Sequence, residues 1–251
     1  MYGGCRLELR WRDFVTTSCV WVIIPALNEE ASIGRVLAHL PIAAARAIVV
    51  DNGSTDQTAA AAEAAGARVI REPRRGYGAA CLAGLDACGD ADIIAFLDAD
   101  FSEEPEQLTE LLAPIHAGQA DLVIGTRVGS GRPWHALAGT RFCVGAINLI
   151  WGTRYTDLGP FRAISAPALR ALEMADRTWG WTIEMQVKAA ERGLRTMELP
   201  VRTRPRIGQS KISGTVAGTL KAATRMLAMI VELWLTRHRR MRRMAGSNDA
   251  R

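Results

Sequence analysis

The sequence predicts an α/β protein with a mostly parallel central sheet flanked by helices. Short apolar runs rich in Val and Ile alternate with segments of helical spacing through the first hundred residues. Polar clusters follow three of those runs directly. The chain has 251 residues, of which 49% are hydrophobic, so it can bury a large core without disulfide or metal support.

The first half of the chain carries the alternation of strands and helices. Four apolar runs favour buried strands, at 19–25, 47–50, 68–71 and 92–97. Helical spacing or composition predicts helices between them, at 31–40, from the cap cluster 51–56 to 65, and at 79–88. Since each helix connects two strands, the strands are expected to run parallel.

The second half continues with more varied elements. Helices are predicted from Pro105 to His116, at 137–151, after Ser165 as N-cap with Pro167 in the first turn, at 182–192, and at 214–237. Strands are predicted at 122–125, 161–164 and 195–201. The Gly-rich stretch 128–137 predicts a mobile loop. We divide the chain into a loosely ordered lead-in over 1–17, one domain over 18–213, and an amphipathic helix with a basic tail over 214–251.

Charge and cysteine content narrow the function. The net charge is +5, and five arginines between 237 and 243 account for all of it. A broad nucleic-acid-binding face is therefore not expected. The five cysteines form no C-x-x-C pair, which favours a reduced cytoplasmic compartment. No apolar run is long enough to span a membrane, and the first residues do not form a signal peptide.

Acidic and polar residues follow three predicted strands, after residues 25, 50 and 97. Parallel strands end at a common edge, where ligands of such sheets bind. Asp98 and Asp100 can share a divalent cation such as Mg²⁺ or Mn²⁺, which prefers oxygen ligands. Alone, this pair could equally cap the next helix. Its place beside two other polar strand ends favours the metal site.

A basic segment supplies positive charge that complements the acidic strand ends. Arg202, Arg204 and Arg206 alternate, and 208–211 follow as Gly-Gln-Ser-Lys. Such a turn can close over a diphosphate, and a solvated basic loop is the alternative. Gly76 and Gly78 lack the third glycine of a dinucleotide-binding fingerprint.

Three motifs carry a family resemblance. Residues 22–30 (VIIPALNEE), 49–56 (VVDNGSTD) and 96–100 (FLDAD) resemble the family-2 glycosyltransferases, of the dolichyl-phosphate mannose synthase and polyprenyl-phosphate glycosyltransferase type. The resemblance covers about 20–213, and its motifs are more specific for the family than for a substrate. It implies a GT-A fold, a GDP- or UDP-sugar donor, Mg²⁺ or Mn²⁺, and inversion at the anomeric carbon.

The resemblance also assigns roles on the donor side. Nucleoside binding would fall to Pro25, Glu29 and Asp51. Asp98 would lie near the ribose and the metal, and Asp100 would ligate the metal. Some relatives carry Gln two residues after the second Asp as a further metal contact. This chain has Ser102 there, which implies a weaker or more hydrated metal shell.

Acceptor binding and loop closure are matched by residues further along. Arg127 and Arg141 match arginines that meet the acceptor phosphate in polyprenyl-phosphate members. Asp157 lies in the segment that faces the acceptor. The loop that closes on the donor diphosphate is matched by Arg206, Ser210 and Lys211. Positive charge there would stabilise the departing diphosphate more than the ground state.

Several functions remain open at this stage. A phosphate acceptor needs no general base, whereas a hydroxyl acceptor needs one, and Asp157 is the candidate. A structural role for Asp157 in a turn is the alternative. A nucleotide-sugar-binding protein without catalysis is a third possibility, and a nucleotidyltransferase is a weaker fourth. In the stretch 179–184, the tryptophans can stack on a sugar or a lipid and Glu184 can meet sugar hydroxyls, although core packing explains Trp181 equally well.

The predicted C-terminal helix is amphipathic. One stripe contains Leu227, Ile230 and Trp234, and five arginines follow. This pattern suits peripheral binding to the anionic inner face of a membrane. A helix docked on the core with a solvated tail is the alternative, and recruitment by an integral membrane protein is another.

Overall fold

The computed structural model describes residues 18–129, 134–208 and 224–237. Within them, seven strands form one sheet: β1 (Val20–Ala26), β2 (Ala47–Asp51), β3 (Arg68–Arg71), β4 (Ile93–Phe96), β5 (Leu122–Gly129), β6 (Arg162–Ser165) and β7 (Thr196–Thr203). The helices are α1 (Ile33–Ala38), α2 (Thr58–Ala64), α3 (Tyr77–Ala87), α4 (Leu108–His116), α5 (Trp134–Trp151), α6 (Ala166–Leu172), α7 (Trp181–Glu191) and α8 (224–237). The predicted lead-in over 1–17 lies outside the described residues.

The sheet is mostly parallel, as the sequence predicts. Its strand order is β3-β2-β1-β4-β6-β5-β7. β6 runs antiparallel to both of its neighbours, and the other pairs are parallel. Ala26 pairs with Asp51, and Ile23 pairs with Phe96. The polar segments after β1, β2 and β4 therefore leave the sheet at the same edge.

Two hydrophobic layers cover the sheet, because successive strand residues point to opposite faces. Ile23 and Phe96 face α3 and α7, and Phe96 contacts Trp181 edge-on with ring centroids 5.7 Å apart. Val22 and Ile24 face the layer that contains α1 and α4. Burial on both faces explains why the central strands are continuous apolar runs.

The segment 128–137, predicted to be a mobile loop, is largely regular at both ends. β5 continues to Gly129, because Val128 and Gly129 pair with Arg202 and Thr203 of β7. α5 already begins at Trp134. The loop prediction was therefore wrong for both ends of this stretch. Ser165 does occupy the N-cap position of α6, but its side chain makes no capping hydrogen bond.

The C-terminal helix α8 packs on the core, with its buried stripe rotated from the predicted one. Met229, Ile230 and Leu233 are buried against the layer that contains α7. Trp234, which the sequence pattern places on one apolar stripe with Leu227 and Ile230, is 52% exposed. The close approach of Met229 to Gly180 fits this rotation. Residues 214–223 of the predicted helix lie outside the described residues. Among the described helices, none combines the length and apolar character that a membrane span requires.

The two glycines of the Gly76-x-Gly78 pair admit a neighbouring backbone. The loop 173–180 crosses the start of α3, where Gly78 N–H donates to Thr178 O at 2.9 Å. A Cβ on Gly78 would lie 2.1 Å from Asp176 O, and one on Gly76 would lie 2.0 Å from Arg177 O. These glycines thus serve chain packing, which agrees with the poor match to a dinucleotide fingerprint.

We expect Gly78→Ala to lower the free energy of unfolding by about 1–3 kcal/mol, because the new Cβ meets backbone that cannot move aside. Gly34→Ala in α1 is the matched control, since nothing lies within 4 Å of its Cβ position. Alanine there should be neutral or stabilise the helix by up to about 1 kcal/mol. Urea unfolding of both variants tests this, and equal midpoints would contradict the packing role of Gly78.

Candidate active site

A cavity of about 120 Å³ opens at the edge where β1, β2 and β4 end. It is lined by the segment after β1, the D-x-D turn after β4, and the loop 173–180. The lining residues are Pro25, Ala26, Leu27, Glu29, Asn52, Tyr77, Asp98, Ala99, Asp100, Trp179 and Arg206. Five of the predicted site residues, Pro25, Glu29, Asp98, Asp100 and Arg206, therefore share one cavity.

The two carboxylates of the D-x-D turn lie in different surroundings. Asp100 is buried, and its Oδ1 accepts a hydrogen bond from Ser102 N–H at 2.9 Å. Its Oδ2 forms an ion pair with the Arg206 guanidinium. Removal from bulk water raises the pKa of the Asp98 carboxyl to about 7, the charge of Asp100 adds to the rise, and Arg206 and Arg127 oppose it. The turn therefore brings two acidic groups together, and a bound cation would reduce their mutual repulsion.

Residues 204–207, which precede the predicted closing loop, form backbone hydrogen bonds with the D-x-D turn. Arg204 N–H donates to Ser102 O at 2.9 Å, and Ile207 N–H donates to Asp100 O at 3.0 Å. The Arg204 guanidinium stacks over the Phe101 ring at 4.2 Å. Phe101 itself has a positive φ of 58°, which is uncommon for a large side chain. These contacts bring Arg206 to Asp100.

The donor set fits a divalent cation that also binds phosphate oxygens. Asp98 and Asp100 supply carboxylate oxygens, the ligand type that Mg²⁺ and Mn²⁺ prefer. Across the described part of the chain, no three His, Cys, Asp or Glu side chains converge on a metal position. A cation here would therefore take its remaining ligands from the diphosphate and water. Ser102 donates its backbone N–H to Asp100 Oδ1.

Of the three residues expected to bind the nucleoside, two line the cavity and one does not. Pro25 and Glu29 line it, whereas Asp51 does not. Asp51 accepts a hydrogen bond from Ser54 N–H at 2.8 Å and so stabilises the turn after β2. Its neighbour Asn52 lines the cavity instead and accepts a bond from Gly76 N–H at 2.8 Å.

Arg127 and Asp157 form a buried ion pair between β5 and the segment before β6. Arg127 Nε and Nη2 donate to the two carboxylate oxygens at 2.8 and 2.7 Å. The same carboxylate accepts Arg127 N–H at 3.0 Å and Leu158 N–H at 2.8 Å. At least four donors thus engage Asp157, and three of them belong to Arg127.

Glu103 is a buried carboxyl next to the D-x-D turn that the sequence reasoning missed. It is buried, and its Oε2 has no hydrogen-bond partner among the described residues. Burial raises the pKa of its carboxyl well above the ordinary value, and the charges of Asp98 and Asp100 add to the rise. Its position three residues after Asp100 was the available signal. Runs of Glu before a helix are so common that this signal carries little weight alone.

The remaining predicted residues are placed less centrally. Arg141 is exposed on α5 and does not line the cavity. Ser210 and Lys211 lie outside the described residues. Trp181 is fully buried in the core, as the packing alternative holds. Glu184 is buried too, and it accepts Asp176 N–H at 2.8 Å and pairs with Lys188 at 2.7 Å.

Comparison with known proteins identifies the family. Residues 21–164 match the sequence model described as Glycosyl transferase family 2. An uncharacterized glycosyltransferase of Mycobacterium tuberculosis is 42% identical over 81% of this chain and 94% of its own length. The undecaprenyl-phosphate mannosyltransferase of Micrococcus luteus is 32% identical over 79% of this chain and 89% of its own length.

A solved structure is similar in fold. The glucosyl-3-phosphoglycerate synthase of Mycobacterium tuberculosis, in complex with Mn²⁺, UDP-glucose and phosphoglyceric acid, superposes with a TM-score of 0.76. The identity is 24%, over 91% of this chain and 85% of the other. The likeness confirms the expected GT-A fold.

The raised pKa of Asp98 makes stability depend on pH in a defined direction. The folded chain holds this proton up to about pH 7, whereas the unfolded chain releases it near the ordinary aspartate pKa of 3.8. The contribution of Asp98 to the free energy of unfolding therefore falls as the pH rises from about 4 to 7.

Asp98→Asn changes the free energy of unfolding of the metal-free protein. We expect this change to be roughly 1–3 kcal/mol more favourable to the folded state at pH 8 than at pH 4. Unfolding by urea at both pH values, with a chelator present, measures the difference. The exposed Asp86→Asn is the control and should shift stability equally at both values. An Asp98→Asn effect that is the same at pH 4 and pH 8 would contradict the raised pKa.

Proposed function

Because the chain belongs to glycosyl transferase family 2, we propose that it transfers a sugar from a GDP- or UDP-sugar to a polyprenyl phosphate, with inversion at the anomeric carbon. The observation that carries the donor side is the shared cavity. It places Asp98, Asp100 and Arg206 beside Pro25 and Glu29. A carboxylate pair with an arginine suits a metal-bound diphosphate, and the segment after β1 suits the nucleoside.

The charge arrangement supports catalysis of sugar transfer. As the anomeric bond breaks, negative charge grows on the departing nucleoside diphosphate. A divalent cation held by Asp98 and Asp100 would supply Lewis-acid stabilisation of that charge. Arg206 already lies at Asp100, so its guanidinium can reach a diphosphate in the same place. Groups fixed before the reaction stabilise the transition state without reorganising.

The Arg127–Asp157 pair supports a phosphate acceptor. A hydroxyl acceptor needs a carboxylate with a free lone pair to take its proton. Asp157 instead accepts four hydrogen bonds, three of them from Arg127. A phosphate is already ionised and needs only positive charge to orient it. Arg127, whose charge acts on Asp98, is within electrostatic reach of the cavity.

Similar proteins support this choice of acceptor without fixing it. The Micrococcus luteus relative is an undecaprenyl-phosphate mannosyltransferase. The solved synthase instead carries phosphoglyceric acid with UDP-glucose and Mn²⁺. A small or glycan hydroxyl acceptor is therefore the second candidate function, and a nucleotide-sugar-binding protein without catalysis is the third.

Two neighbouring helices offer a surface suited to lipid. α5 exposes Trp134, Phe142 and Leu149, and α8 exposes Trp234 and Leu235. Arg237 of α8 donates to Ile150 O at the end of α5, so the two helices meet at that end. The sequence then continues with a run of arginines to residue 243. Apolar side chains beside such a run favour peripheral contact with an anionic membrane.

Release of nucleoside diphosphate tests the acceptor. UDP-glucose and GDP-mannose are supplied with Mn²⁺, with and without undecaprenyl phosphate in anionic vesicles. We expect release to require the lipid phosphate. Asp157→Asn should lower the rate, by less than about tenfold, because Asn keeps only one of the two oxygens that accept from the Arg127 guanidinium. It should leave the pH profile of the rate unchanged. Loss of a general base would cost about a hundredfold or more.

Asp121→Asn is the matched control, because Asp121 pairs with Arg195 in the same two-point manner at the opposite end of β5. Its rate should equal that of the parent protein. Release that needs no lipid would favour a hydroxyl acceptor or water. Donor binding without release under any condition would favour the non-catalytic candidate.

A further inference from the structure

One wall of the cavity belongs to the loop 173–180, which places Trp179 beside the D-x-D turn. Trp179 is 37% exposed and lines the cavity together with Tyr77 from the start of α3. The Tyr77 hydroxyl is buried beside the Asp98 carboxyl, whose pKa it helps to lower. The cavity wall therefore includes two aromatic side chains, one of which carries a hydroxyl group.

A buried carboxylate holds the residues on both sides of Trp179. Asp176 accepts hydrogen bonds from Thr178 N–H and Gly180 N–H, each at 2.9 Å. It also accepts the Thr178 hydroxyl at 2.9 Å. Because both neighbours of Trp179 are fixed by one carboxylate, the backbone at Trp179 has little freedom.

Three further elements hold the same loop. Glu184 accepts Ala175 N–H at 3.0 Å and Asp176 N–H at 2.8 Å. The start of α3 donates from Gly78 and Ala79 to the loop carbonyls. α8 contributes Met229, packed close to Gly180, and Arg225, which donates to Thr178 Oγ1 at 3.3 Å. A loop with this many supports is suited to present one side chain in one place.

The residues that line the rest of the cavity indicate which part of the donor Trp179 would contact. Under the proposed function, Pro25 and Glu29 bind the nucleoside, and Asp98, Asp100 and Arg206 lie at the diphosphate; all five line the cavity. Tyr77 and Trp179 come from different elements, α3 and the loop before α7. The sugar is the part of the donor that neither of the first two groups accounts for.

We propose that Trp179 contacts the sugar ring of the donor and that Asp176 is the positioning residue that keeps it there. This inference rests on the proposed function, since it assumes a nucleotide-sugar donor. The carbon-bound hydrogens of a sugar ring pack on an aromatic face, and nearby polar groups bind its hydroxyls. The contact would make the Trp179 wall a determinant of donor choice.

Equilibrium binding of a nucleotide with and without its sugar tests the assignment. The probes are UDP against UDP-glucose and GDP against GDP-mannose, each with Mn²⁺. For the pair that the parent protein binds, Trp179→Ala should weaken the sugar nucleotide about tenfold. The free nucleoside diphosphate should change less than twofold. Trp179→Phe keeps an aromatic face and should recover most of the affinity, which also guards against a folding defect.

Asp176→Ala tests the positioning role, since it removes the acceptor of all three hydrogen bonds. It should weaken the sugar nucleotide several-fold and spare the nucleoside diphosphate. Glu173→Gln on the same loop is the control, because the Glu173 side chain is 80% exposed, and it should leave both affinities unchanged.

If Trp179→Ala lowers the affinities for the nucleoside diphosphate and the sugar nucleotide equally, the sugar assignment is overturned. Trp179 would then contact the nucleoside. No loss in either would overturn it as well. A parent protein that binds no sugar nucleotide would overturn the proposed function first, so the two failures are distinguishable.

Discussion

The arrangement of the active site depends on the two carboxylates of the D-x-D turn, which lie close together in a cavity with restricted access to water. Two such charges repel each other, and the raised pKa of Asp98 reflects the cost. Arg206 offsets part of it by pairing with Asp100. A metal-bound diphosphate would offset more of it, with Arg206 turning to the phosphates. Because Arg206 belongs to segment 202–207, a cation bound at the turn would change the contact between this segment and Asp100.

The surrounding fold keeps this charge in place by close backbone approaches. Segment 202–207 lies along the D-x-D turn through backbone hydrogen bonds from Arg204 and Ile207. On the other side, the loop 173–180 reaches the cavity only because Gly76 and Gly78 leave room for its carbonyls. The buried carboxylates of Asp176 and Asp157 hold neighbouring backbone N–H groups and side chains in place. Acidic residues therefore both line the cavity and support the segments around it.

The sequence predicted what depends on local pattern. Apolar runs located the central strands. Polar strand ends located Asp98, Asp100 and Glu29, and the family resemblance added Pro25; all four line one cavity. Pairing across the sheet was not visible, so β5 was ended too early at a Gly-rich stretch that β7 orders. The face of α8 depends on Met229 meeting Gly180, which no periodicity reveals. The pairing of Asp157 with Arg127 joins two segments that are distant in sequence, so no local pattern reveals it.

Binding of Mn²⁺ to the purified protein, measured by electron paramagnetic resonance without nucleotide, tests the account most directly. Asp100→Asn should weaken binding at least tenfold, because it removes a metal ligand. Arg206→Gln should strengthen binding several-fold, because Arg206 and the ion compete for Asp100. Arg204→Gln on the same segment should change the affinity little, since Arg204 stacks on Phe101 instead. Unchanged Mn²⁺ affinity in Asp100→Asn would contradict the account.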